Sequence, residues 1–150
     1  MEKPERQRFW RPPLAAITVS GLAAAEPHAS LYLRLGGMPA IRAVVDDLVS
    51  RILADERVNK WFAHAASDPA NAEAYKRKLA DFLCQGAGGP CQYNGPDIVT
   101  AHKGSGVTGE AFDAVVEDLV ATLDKLKVPD KEKADLLGIL GPMKMGVVQH

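Results

Sequence analysis

Apolar residues recur at helical spacing in four long stretches of this chain, and a run rich in glycine and proline separates the second from the third. Ile41, Val44, Val45, Leu48, Val49, Ile52 and Leu53 fall three and four apart, which places them on one face of an α-helix. Pro39 suits the first turn of that helix, because proline fixes φ and has no amide hydrogen to leave unpaired. A second stripe runs through Ala72, Tyr75, Leu79, Phe82 and Leu83, with Asp68 as the expected N-cap and Pro69 at the first helical position. A third runs through Phe112, Val115, Val116, Leu119, Leu123 and Leu126 and is entered at Thr108. A fourth, after the break at Val128 and Pro129, takes in Leu136, Leu137, Ile139, Leu140, Met143 and Val147. No stretch alternates apolar and polar residues as a half-buried strand would. The expected class is all-α, with four principal helices.

The bulk composition bounds the function. The chain has 150 residues, 47% hydrophobic and 25% charged, enough for one domain with a sizeable core. A formal net charge of -1 supplies no phosphate-neutralising surface, so nucleic acid is not an expected partner. Nor is a membrane, since no run of about 18 apolar residues exists to span one. The first 30 residues differ from the rest. Lys3, Arg6, Arg8 and Arg11 precede an uncharged stretch, Leu14 to Ala25, that ends in three alanines. That is the order of a secretory signal, with cleavage expected after Ala25 and a mature protein starting at Glu26 and placed in the periplasm or outside the cell. Pro12, Pro13, Glu2 and Glu5 fit that pattern poorly. The alternative is an Ala/Pro-rich disordered tail on a cytoplasmic protein, and in either case residues 30–150 form the domain.

Between the second and third helices lie Gly86, Gly88, Gly89 and Pro90, then Tyr93, Asn94, Gly95 and Pro96. So much glycine and proline stops a helix and forbids a new one before about Asp97. A long irregular stretch in a small helical domain usually has a function. Here it delivers His102 after about one helical turn, too short to owe much to its own propensity. A lone imidazole among small and apolar residues can be a spectator, or it can be the one protein bond to a haem iron.

The order of Leu31 to Gly37, Ala43 to Asp55, Trp61 with Phe62, Phe82, Gly88 to Pro90, Tyr93 to Pro96, Ala101 with His102, and Phe112 resembles a truncated (2/2) haemoglobin of the first group. The resemblance covers about four-fifths of the chain, Ser30 to about Val148. It implies a two-over-two helical sandwich around haem b, with His102 as the iron ligand. The second ring nitrogen of His102 is then expected to donate to a nearby backbone carbonyl. Phe62 matches an aromatic wedged against the porphyrin edge, and Tyr93 a tyrosine whose hydroxyl lies near a propionate. Ile98, Val107 and Val115 are further expected cofactor contacts, as are Tyr75 and Leu79. Plain core packing is the alternative role for Phe62 and Tyr93.

The side opposite His102 departs from the family pattern. The usual tyrosine on the first long helix is matched by Val49, and the glutamine on the following helix by Leu79. Both donors that would hydrogen-bond the gas are thus absent. Tyr75, one turn before Leu79, is expected either to supply the missing hydroxyl or to lie at the pocket mouth or in solvent. Lys78 matches a position that closes the sixth iron site in some relatives, and His64 is a more distant candidate. For Lys78 a solvated amine or a propionate partner is the alternative, because coordination needs the uncharged amine. His28 and His150 carry no argument. Cys84 and Cys91 lack the Cys-x-x-Cys-His arrangement that attaches haem, so a non-covalent cofactor is expected. The pair is expected to close a disulfide if the protein is exported and to stay reduced if it is cytosolic. The implied function is reversible binding of dioxygen, nitric oxide or carbon monoxide. Alternatives are a nitric oxide dioxygenase or peroxidase served by an external reductase, and a six-coordinate electron-transfer protein.

Overall fold

The computed structural model describes residues 29–149; the proposed signal segment, with His28, and His150 lie outside the described residues. Among the described residues the chain is helical, with no strand. Helix α1 (Leu31–Leu35) is capped by Ser30, whose side chain accepts from the Leu33 amide, and ends at Gly36. Helix α2 (Gly37–Ala54) follows at once. A 3₁₀ turn (Asn59–Phe62) and the short α3 (Ala63–Ala66) lead to α4 (Pro69–Gly86). Then come α5 (Ile98–His102), α6 (Gly109–Lys125) and α7 (Asp130–Leu140). A 3₁₀ turn (Gly141–Met143) and α8 (Lys144–Val147) finish the chain. Helix α2 packs on α4 and on α6, and α7 packs on α6 and α1, giving two helix pairs laid over one another.

The expected starts are observed. Asp68 accepts from the amides of Ala70 and Asn71 with Pro69 behind it, and Thr108 accepts from Ala111. The stripe on α2 is the core, with Ile41, Val44, Val45, Leu48, Val49 and Ile52 all buried and Leu53 half-buried. On α6 the buried face differs from the expected one. Ala111, Ala114, Leu119, Thr122 and Leu123 are buried, whereas Phe112, Val115 and Val116 are half-buried and Leu126 is exposed. The small alanines let α6 approach closely, and that turns its larger residues to one flank. On α4, likewise, Ala80, Leu83 and Cys84 are buried and Tyr75, Leu79 and Phe82 half-buried. The fourth stripe is not one helix. It breaks at Gly141 and Pro142, where proline removes a helical donor, and only Leu136 and Val147 of the stripe are buried.

Polar ties fix the pairs. Thr122, the buried polar residue of α6, donates to Asp47 Oδ2 at 2.7 Å, and Arg51 donates to the same oxygen at 2.7 Å. Those bonds, that from Arg51 foremost, hold the Asp47 carboxyl at about 2. Arg34 joins α1 to α7 through Glu132 at 2.8 Å and Asp135 at 2.9 Å.

A second carboxyl is held the other way. Asp118 Oδ2 is buried with no hydrogen-bond donor among the described residues, and burial first, then the neighbouring Asp55, push Asp118 up to about 6. A carboxyl whose folded pKa lies above its unfolded value favours the fold while it keeps its proton. That contribution is lost as pH rises from about 4 through about 6. Asp118→Asn keeps a neutral group at every pH. Its stability relative to wild type should therefore be greater near pH 8 than near pH 4, read from urea midpoints. An equal gap at both pH values would contradict the assignment.

Candidate functional site

His102 is the last residue of α5, a helix of five residues with no buried side chain. So short a helix cannot stand on its own hydrogen bonds. Its N-terminus is capped by Asp97, which accepts from the Thr100 amide at 2.7 Å; those backbone bonds, to Thr100 first, hold the Asp97 carboxyl below its usual range. Upstream, a Cys84–Cys91 disulfide ties the end of α4 to the irregular segment that leads to α5, so the pairing left open by the sequence is made. Gly89 lies inside that closed loop. A Cβ there would stand 2.5 Å from the Tyr32 ring and 2.7 Å from Cys84 Sγ, so no larger residue fits. Tyr93 receives support from Gln85, whose Oε1 accepts from its amide at 2.7 Å, and its ring packs edge-on against Phe82 at 5.2 Å.

The His102 ring is oriented from within its own helix. Nδ1 lies 2.8 Å from the Ile98 carbonyl oxygen. A carbonyl can only accept, so Nδ1 carries a proton, which in a neutral imidazole puts the lone pair on Nε2. Nε2 has no partner among the described residues. The backbone acceptor expected for the second ring nitrogen is therefore present.

Phe62, Leu79, Ile98, Phe112 and Val115 are half-buried and pack against the cluster that contains buried Val107. Leu79 also joins the second cluster, around Ile41, Val45 and Val49, on which Tyr75 packs. Val49 is 1% exposed, so its side chain is locked in the core. Tyr75 is half-buried. Its ring meets Phe62 edge-on, with centroids 5.6 Å apart, and its hydroxyl has no hydrogen-bond partner among the described residues. Burial, with a smaller contribution from Tyr93, pushes the Tyr75 phenol up to about 12.

Tyr93 donates its hydroxyl hydrogen to the Pro96 carbonyl at 3.0 Å, which leaves its oxygen able only to accept. Lys78 and His64 are exposed, and Lys78 makes no ion pair among the described residues. The residue whose role sequence reasoning missed is Trp61. Its indole Nε1 donates to the Ser105 carbonyl at 2.9 Å, across 44 positions of sequence, and no local pattern signals such a bond. A hollow of about 260 Å³ lies away from this site, lined by residues including Leu35, Val44, Val128 and Pro129.

The donor set fits a haem. His102 Nε2 has no partner among the described residues, large apolar side chains such as Phe62, Phe112 and Val115 are left half-buried, and both thiols are tied to each other and so cannot form thioether links. Comparison with known proteins agrees with this chemistry. The bacterial-like globin family matches residues 30–149. The chain is 37% identical over 116 residues to the group 1 truncated haemoglobin GlbN of Synechocystis sp., covering 75% of this chain and 90% of that protein. It is 36% identical over 102 residues to the group 1 truncated haemoglobin of Tetrahymena thermophila, covering 68% and 80%. The Fe(III) form of truncated haemoglobin from Tetrahymena pyriformis superposes with a TM-score of 0.74 at 30% identity, over 81% of this chain and all of that one, 100%. The 2/2 haemoglobin of a Synechococcus species, solved in the cyanomet state with covalently attached haem, gives 0.72 at 33% identity, over 81% and 100%.

The state of Tyr75 can be read directly. Spectrophotometric titration of the phenols should show a tyrosine that ionises only at about 12, and Tyr75→Phe should remove that late step alone. Loss of an earlier step instead would place the Tyr75 hydroxyl in water.

Proposed function

The chain belongs to the bacterial-like globin family, as a truncated haemoglobin of the first group, and from that premise we propose that it holds haem b through His102 and reversibly binds a diatomic gas. Dioxygen, nitric oxide and carbon monoxide are the ligands this chemistry admits. The observation that carries the proposal is the 2.8 Å contact between His102 Nδ1 and the Ile98 carbonyl, because it leaves Nε2 as the one unshared nitrogen donor. Haem supplies an iron centre able to take up such a ligand. Everything else is the work of the chain. Phe62, Leu79, Ile98, Val107, Phe112 and Val115 give the apolar surface that holds the porphyrin and keeps water out. Tyr93 donates its hydroxyl hydrogen to the Pro96 carbonyl, so it braces the loop and is not a propionate donor in this conformation.

On the gas side Val49 and Leu79 offer no hydrogen bond, and Tyr75 is the candidate donor. Its hydroxyl is neutral at any physiological pH and has no partner among the described residues to give up first. One such bond is worth about 0.5–1.5 kcal/mol, or about 2- to 12-fold in affinity. The proposed site is therefore tuned for binding by an apolar pocket with at most one donor. The exposed position of Lys78 supports an open sixth site over a lysine-closed one.

We also propose that the protein works in an oxidising compartment outside the cytoplasm. The Cys84–Cys91 disulfide supports this, because such bonds persist where thiols are not kept reduced. The basic, then apolar, then alanine-rich order of residues 1–25 supports it independently.

The absorption spectrum tests the haem assignment. Wild-type protein should show a Soret band in the ferric and ferrous states that shifts when carbon monoxide is added to the ferrous form. His102→Ala should lose the haem or show an altered ferrous spectrum. Identical spectra in both proteins, or a wild type that takes up no haem on reconstitution, would overturn the proposal.

A further inference from the structure

We propose that Trp61 is a positioning residue for His102: its indole latches the loop that ends α5 to the turn that carries Phe62, and so sets how the imidazole is presented to the haem. This rests on the haem reading above. Helix α5 has one turn and no buried side chain; it packs on α8, where Ile98 and Val99 lie against Gly146, and the segments at its two ends are what remains to set its orientation.

The downstream end is Lys103 to Gly106. Gly104 and Gly106 both take φ of 75°, and a Cβ built on either meets nothing within 4 Å. Packing does not hold this loop; hydrogen bonds do. Ser105 donates twice to the His102 carbonyl, from its amide at 3.0 Å and its hydroxyl at 2.6 Å. The Ser105 carbonyl in turn accepts from Trp61 Nε1 at 2.9 Å. A continuous path therefore runs from the indole through Ser105 to the backbone of His102. On its other side the loop is held by Gln149, whose Oε1 accepts from the Gly104 amide at 3.1 Å and whose own amide donates to Val107 at 2.8 Å.

Trp61 is a firm anchor for such a path. Its half-buried ring packs on the core, and Lys60 Nζ covers the ring at 4.5 Å. The next residue is Phe62, which contacts Tyr75. One indole thus couples the Phe62–Tyr75 wall to the His102 loop, with no bond to His102 itself. Phenylalanine at position 61 keeps an aromatic ring and removes only the N–H donor.

Amide exchange of Trp61→Phe, haem-free and haem-loaded, tests the latch. Residues 101–105 should exchange about 2- to 10-fold faster, as loss of one hydrogen bond allows, while the buried amides of α2 and α6 keep their rates. In the loaded ferrous protein the iron–imidazole stretching band should shift or broaden in the resonance Raman spectrum. Unchanged exchange at 101–105 with an unchanged band overturns the proposal. So does a uniform rise in exchange across all helices, which marks a merely structural role. Should Trp61→Phe not fold, the wild-type indole proton decides: slowed exchange supports the latch, and exchange at the rate of free tryptophan overturns it. A wild type that takes up no haem overturns the haem reading and this proposal together; haem uptake with an indifferent Trp61→Phe overturns this proposal alone.

Discussion

The hydrogen bond from His102 Nδ1 to the Ile98 carbonyl does two things at once in this fold. It closes the single turn of α5, and it decides which ring nitrogen keeps a lone pair. Both depend on α5 staying where it is, although the helix buries none of its own residues. The chain solves this by tethering the ends. The Asp97 cap, the Gln85–Tyr93 bond and the Cys84–Cys91 disulfide secure the approach, and the Trp61 and Gln149 bonds secure the exit. The long irregular segment before α5 is thus a mount for one side chain, not a simple connection between helices.

The rest of the fold supplies a rigid frame for that mount. Helix α2 is fully committed to the core along one face, and Asp47 on its flank is fastened to Thr122 and Arg51. Because Ala111 and Ala114 let α6 settle close to its neighbours, Phe112 and Val115 are turned to the flank, where both stay half-buried against the core. The half-burial of these large apolar residues is what an apolar cofactor needs. A core that buried them completely would leave nothing for the porphyrin to pack against.

Local chemistry was legible in the sequence. Asp68, Asp97 and Thr108 cap helices because a short polar side chain reaches its own backbone two or three residues on, and such signals lie within a few positions. The stripe of α2 was legible for the same reason, since one helix with one buried face repeats a period. The rotation of α6 was not. Its pattern allowed Phe112, Val115 and Leu126 to face inward, and only the neighbours in space selected the alanine face instead. His102 stood out in the sequence, and its carbonyl partner four residues back could be expected from helix geometry. The Trp61–Ser105 bond could not, because it joins segments 44 residues apart through a backbone carbonyl that carries no sequence signature. The cysteine pair lay between these cases: its closure depended on a compartment that spacing alone does not determine.

The central claim is that the backbone fixes the His102 tautomer so that Nε2 is the nitrogen offered to the iron. Long-range proton–nitrogen correlation spectra of the histidine rings in the ferrous carbon monoxide form report this directly. The account predicts a slowly exchanging proton on His102 Nδ1 and none on Nε2. A proton on Nε2, or a His102 ring that exchanges freely between the two tautomers, would contradict it.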